Sequence, residues 1–219
     1  MSQTFTALSA ALPVAAGWSL HSLRLRRRIE AARRDPLTGL LTRDGFAEAA
    51  RRWLTSIRPR AVCLIDLNEF KQINDTYGHA AGDAVIRAVG ERLSEWALNN
   101  AAVVGRLGGD EFAAVSPAYS ENQLVETIGS LIAELEQPIE FGDHLLTVGA
   151  AIGSVCFDPR TDQADLAQLL RVADEQMYRA KRGGASWMNA MSSTSQGATV
   201  NGRRAGRRGT ATSGTETAA

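Results

Sequence analysis

The strongest constraint in this sequence is that its apolar residues change period repeatedly between residues 45 and 182. Residues 45–57 carry them at helical spacing, whereas 61–67, AVCLIDL, form a short continuous apolar run suited to a buried strand. Residues 80–97 place Ala84, Val85, Ala88, Val89, Leu93 and Trp96 on one helical stripe, with Arg87, Glu91 and Glu95 off it. Two short runs, 102–107 and 111–115, flank Gly108–Gly109–Asp110 and read as a β-hairpin. Residues 121–136 are helical, 144–157 read as one strand, and 165–182 form an amphipathic helix stopped by Gly183–Gly184. Strands alternating with helices around a central hairpin predict an α/β fold built on one sheet.

A chain of 219 residues suits one domain with flanking segments. Its net charge of zero conceals a division: residues 1–34 sum to +5, residues 35–188 to −8 and residues 189–219 to +3. The acidic centre argues against a nucleic-acid partner, because phosphate neutralisation by Lys and Arg supplies most nonspecific affinity. Cys63 and Cys156 lie in apolar runs without CxxC spacing, as core thiols do. Residues 5–23 are weakly apolar and are followed by the Arg cluster 24–28, which fits a single membrane anchor or a dimerising helix. If that segment spans, the positive flank holds the central domain in the cytoplasm, at the inner face of the plasma membrane. Residues 189–219 are Ser, Thr, Gly, Ala and Arg with almost no large apolar side chain, the composition of a disordered tail. The expected organisation is therefore 1–34, a domain over 35–188, and 189–219.

Chemistry concentrates in two acidic groups. Asp66 closes the predicted strand, where a carboxylate is costly unless paired or bound to a cation. Asp110 and Glu111 sit at the hairpin tip, which pairs beside that strand in the simplest topology. Carboxylates on adjacent strands can share Mg²⁺, or Mn²⁺ in its place, and leave room for substrate phosphates. Gly108 and Gly109 suit a plain turn equally well, but they also let a nucleotide approach the backbone. The chain has 22 Arg and only two Lys, Lys71 and Lys181, so a Lys at 71 just after Asp66 suggests a compact ammonium near phosphate. Asn74 and Asp83 offer the acceptors that a guanine edge requires, and each also suits a turn or a helix start.

Four blocks in order, DPLTGLLTRDGF at 35–46, DLNEFKQINDTYGHAAGD at 66–83, GRLGGDEF at 105–112 and YRAKRGG at 178–184, resemble the GGDEF domain of diguanylate cyclases. The resemblance implies a palm-like mixed sheet, akin to nucleotide cyclases and polymerases, with the signature on a hairpin. It implies that Asp66, the Leu67 carbonyl, Asp110 and Glu111 hold Mg²⁺, with Glu111 also at the reacting hydroxyl. Asn74 and Asp83 would recognise guanine, and Phe70, Lys71, Arg106, Gly108, Gly109 and Lys181 would surround the triphosphate. Glu111, Asp110 and Lys71 are then the candidate catalytic residues. Asp83 favours guanine over adenine.

The sequence also departs from the family pattern. Asn68 replaces the second Asp of Asp–x–Asp, Thr42 and Asp44 alter the Asn–Arg–Arg entry, and Ala185 stands where many members place an Arg. Loss of that one charge-assisted contact would weaken GTP binding by about 1 to 3 kcal/mol. The inhibitory Arg–x–x–Asp is absent, since residues 99–102 read Asn–Asn–Ala–Ala. The expectation is a homodimeric, Mg²⁺-dependent enzyme that condenses two GTP into cyclic di-GMP and two pyrophosphates. The alternative is a catalytically silent GTP-binding module that signals through protein contacts.

Overall fold

The computed structural model describes residues 30–163 and 165–191, together with Trp18, His21, Ser22, Arg24, Leu25 and Arg28. Helix α1 (Arg43–Leu54) begins where the Thr42 hydroxyl accepts from the Gly45 N–H at 3.3 Å. It leads to β1 (Arg60–Leu67), then α2 (Phe70–Tyr77) and α3 (His79–Asn99). The hairpin β2 (Val103–Gly108) and β3 (Glu111–Pro117) follows, then α4 (Glu121–Leu135). The described residues continue through β4 (Ile139–Phe141), β5 (His144–Leu146), β6 (Ala150–Phe157), α5 (Leu166–Gly183) and β7 (Trp187–Met191).

Five strands form one sheet in the order β2–β3–β1–β6–β7, antiparallel except for the β6–β7 pair. Because β1 is central, its side chains alternate between two buried layers. Ala61, Cys63, Ile65 and Leu67 join the core that includes Val85, Val89, Leu93 and Trp96 of α3 and Leu124, Ile128 and Leu131 of α4. Val62 faces the other way, into the core with Phe46 and Ala50 of α1 and Leu169 and Val172 of α5. The mixed sheet with helices on both faces is the expected α/β architecture. Burial pushes the Cys63 thiol up to about 12 and raises that of the half-buried Cys156, consistent with inert thiols.

Several elements differ from the sequence reading. The run 144–157 is not one strand: β5 pairs with β4 in a separate hairpin, and β6 starts only after residue 149. The backbone turns there because the Gly149 carbonyl accepts from the Asn68 N–H at 2.8 Å, while the Asn68 side chain packs against Gly149. Helix α1 ends at Leu54, three residues short of the expected end at 57, with Thr55 as its C-cap and the Thr55 N–H bonded to the Arg51 carbonyl. Asn189–Met191, assigned by composition to the tail, complete β7. Asn189 fits a strand because its side-chain oxygen accepts from the Ser154 hydroxyl at 2.8 Å, and that hydroxyl in turn accepts from the Trp187 indole at 2.8 Å. The rest of the tail lies outside the described residues, as does nearly all of 5–23. No helix among the described residues is long and apolar enough to cross a membrane.

Two contacts hold the functional end of the sheet in place. Helix α5 crosses β6 at Gly153, where a Cβ would lie 2.0 Å from the Ala173 carbonyl oxygen and 2.2 Å from the Met177 nitrogen. Arg106 of β2 donates to Asp35 at 3.0 Å and, through Nε and Nη2, to the Gly109 carbonyl at 3.0 and 2.8 Å, binding the domain entry to the hairpin tip. Desolvation by burial opposes ionisation of Asp35, but hydrogen bonds from Thr38 and Arg106 outweigh it and hold the carboxyl below its ordinary value of 3.8.

Gly153→Ala is expected to destabilise the chain by about 3 kcal/mol in urea unfolding, since the obstruction is backbone. Gly129→Ala, in open space on α4, should stabilise it by about 0.5 to 1 kcal/mol. A depressed folded-state value means that the Asp35 contribution is present above pH 3.8 and fades as the pH falls through the folded-state value. Urea midpoints of the wild type and Asp35→Asn should therefore differ at pH 7 and converge as the pH falls below 3.8 and through the depressed folded-state value.

Candidate active site

The end of β1 and the start of β3 carry opposed carboxylates, because the antiparallel register sets Asp66 directly across from Glu111. Like charges at facing positions destabilise a strand pair unless cations compensate them. Here two cations do so. The Lys181 ammonium, from the last turn of α5, bonds Asp66 Oδ1. Arg43, in the first turn of α1, places Nη2 3.9 Å from Glu111 Oε2 while its Nε donates to the Leu107 carbonyl at 3.1 Å. Asp66 is the more enclosed acid, 14% exposed against 42% for Glu111.

The hairpin tip is shaped by its glycines. Gly108 and Gly109 take φ values of 144° and 54°, which side chains rarely tolerate, and no atom stands within 4 Å of where their Cβ atoms would be. The Asp110 carbonyl accepts from the Leu67 N–H at 3.3 Å, closing the tip onto β1 immediately after Asp66. The β1–α2 turn passes through Glu69 at φ 57°, a left-handed conformation for a non-glycine residue. Strain of that kind persists only where the surroundings over-determine it.

Helix α2 presents the second group. Lys71 is exposed in its first turn, and Phe70 is half-buried against the core. The Asn74 amide donates to the Phe70 carbonyl at 3.4 Å, and its side-chain oxygen lies 2.1 Å from the point where Gly82 would carry a Cβ. Glycine at 82 thus lets α3 approach the Asn74 side chain, and Asp83 follows it as an exposed acid. Asp66, Glu111 and Lys181 are brought together, and Asn74 is set beside the turn of α3 that bears Asp83.

Arg106 is placed differently from the phosphate-facing position expected of it. It is 15% exposed, and its guanidinium is occupied by Asp35 and the Gly109 carbonyl. Nor do three carboxylates converge: among the described residues no group of three His, Cys, Asp or Glu could hold a metal ion. The donor set at Asp66 and Glu111 is nonetheless all oxygen, which suits a hard divalent cation, and the two facing charges favour one. Sequence reasoning missed Arg43 and Asp35. The available signal for Arg43 was its place inside the altered entry block; Asp35 opens the same block. A cleft of about 190 Å³, lined in part by Arg43, Leu107, Glu111, Asp174 and Met177, lies beside Glu111.

The chain has relatives. The family model "Diguanylate cyclase, GGDEF domain" matches residues 32–186. An uncharacterised 19.3 kDa protein from the repSA 5′ region of Streptomyces ambofaciens is 42% identical over 165 residues, covering 75% of this chain and 87% of that one. The diguanylate cyclase DgcP of Escherichia coli is 40% identical over 157 residues, and the match spans 68% of this chain but 44% of DgcP. Among solved structures, a sensory box/GGDEF family protein from Caulobacter crescentus aligns with a TM-score of 0.63 at 34% identity, covering 69% of this chain and 99% of that one. The coiled coil and GGDEF domain of Caulobacter crescentus DgcB, solved with c-di-GMP, aligns with a TM-score of 0.69 at 25% identity, covering 84% and 99%. Hairpin, strand-end acids and helix-borne lysine all lie within the matched span, and the chain belongs to the GGDEF domain family.

Proposed function

We propose that this chain is a diguanylate cyclase that condenses two GTP into cyclic di-GMP and releases two pyrophosphates. The observation that carries the reading is the Asp66–Glu111 pair, set face to face by strand register and flanked by Lys181. Asp66 and Glu111 would hold Mg²⁺, or Mn²⁺ in its place, with the Leu67 carbonyl and Asp110 as the further ligands that the family resemblance implies. When bound, that cation supplies Lewis-acid neutralisation of phosphate charge.

The chain's own groups supply the rest. Asn74 and Asp83 accept from the guanine N1–H and N2–H₂ and discriminate against adenine, which lacks that donor pattern. Lys71 and Lys181 bring positive charge to the triphosphate, and the bare backbone of Gly108–Gly109 lets it lie close. Glu111 faces the attacking 3′-hydroxyl and accepts its hydrogen bond, its carboxylate steadied by Arg43. Each hydroxyl attacks the α-phosphorus of the other GTP, and the bond to pyrophosphate breaks. One domain holds one GTP, so the working form is an antiparallel homodimer. Catalysis then rests on positioning and fixed charge. Arg106 acts by holding the hairpin through Asp35 and Gly109. A cytoplasmic GTP pool provides the substrate.

The test uses the full chain with GTP and Mg²⁺, product being separated by chromatography. Cyclic di-GMP should rise more than linearly with protein concentration and stop on addition of a chelator. It should fall at least ~10²-fold in Glu111→Ala. Asp83→Ala should raise KM for GTP about tenfold or more, as loss of a hydrogen bond to a charged group does. GTP binding without product at every protein concentration would instead establish the silent module, the outcome that Ala185 favours by removing one cation from the end of α5.

A further inference from the structure

We propose that Lys181 is a placeholder cation for Asp66, so that the ammonium and a divalent ion compete for one carboxylate and the ion enters with the nucleotide. The proposal rests on the reading of the site just given. Asp66 is 14% exposed and faces Glu111 across the strands, so it needs a positive partner whether or not a divalent ion is bound. Among the described residues no other Lys or Arg is paired with it: Arg43 is committed to Glu111 and Leu107, Arg106 to Asp35, and Arg182 lies over the Tyr178 ring.

Residue type and position suit an exchanging partner. In a chain with 22 Arg and two Lys, this position carries Lys. An ammonium is a point charge on a flexible four-carbon stem, whereas a guanidinium fork would grip a carboxylate with two bonds. Lys181 is 37% exposed and stands in the last turn of α5, where Gly184 at φ 68° closes the helix. A triphosphate carries more charge than Asp66 and draws the ammonium toward itself. That leaves Asp66 free for the divalent ion. Metal and nucleotide affinities are thereby coupled, each raising the other by the same factor.

The experiment measures Mn²⁺ binding to the full chain by the resonance signal of free Mn²⁺, with and without a non-hydrolysable GTP analogue. Without nucleotide, Lys181→Met should bind Mn²⁺ roughly three- to tenfold more tightly than the wild type, the gain from removing a charge-assisted competitor. Lys181→Arg, which keeps a cation on Asp66, should show no gain, and Asp66→Asn should lose the binding. With the analogue saturating, the gain of Lys181→Met should vanish, while that variant's affinity for the analogue falls. Unchanged or weaker Mn²⁺ binding by Lys181→Met would overturn the proposal even if the wild-type chain forms cyclic di-GMP. A wild type that forms none while the Mn²⁺ pattern holds would remove the cyclase reading and leave the competition standing.

Discussion

Two carboxylates facing each other across a strand pair set the terms for this molecule. Register forces the encounter: Asp66 lies opposite Glu111 because Ile65 lies opposite Phe112 and Leu64 opposite Ala113, and the apolar faces of β1 and β3 cannot slip without turning inside out. The hydrophobic core therefore fixes the spacing of the acids. What the core creates, the surface elements then have to neutralise. Helix α5 brings Lys181 to Asp66, and α1 brings Arg43 to Glu111. Facing acids with cationic partners make an all-oxygen donor set of the kind that suits a hard divalent ion.

The remaining structure serves that encounter at some distance. Gly153 lets α5 lie close enough on β6 for its last turn to reach β1. The Asp35–Arg106–Gly109 connection ties the domain entry to the tip of the signature hairpin, across 71 residues of sequence. The Asp110 carbonyl then seals the tip to Leu67. Gly82 plays the matching part between α2 and α3 by admitting the Asn74 side chain. Gly153 and Gly82 thus act as sites of close approach between elements, whereas Gly108 and Gly109 serve a turn.

Much of this was legible in the sequence. The apolar run ending in Asp66, the Gly–Gly turn before two acids and the scarcity of lysine all announced the site, because each breaks a local preference that folding alone would keep. Arg106 was harder to place, and Arg43 was not singled out at all. A guanidinium in a phosphate-binding block reads alike whether it meets a phosphate or a carboxylate, and only the partner's position in space decides. Helix α2 escaped the periodicity because it has no fully buried residue. Strand β7 escaped it because its Asn189 is satisfied by a Ser154–Trp187 relay that sequence spacing does not reveal. The division at 147–149 arose from a backbone hydrogen bond to Asn68, likewise invisible to composition.

The central claim is that the Asp66–Glu111 pair is the seat of a divalent ion shared with a guanine nucleotide. A crystal structure of the full chain with Mn²⁺ and a non-hydrolysable GTP analogue, with the metal located by its anomalous scattering, tests it most directly. The account predicts Mn²⁺ at Asp66 and Glu111, guanine against Asn74 and Asp83, and the Lys181 ammonium moved onto phosphate. Metal bound elsewhere, or nucleotide bound while Lys181 still holds Asp66, would contradict it.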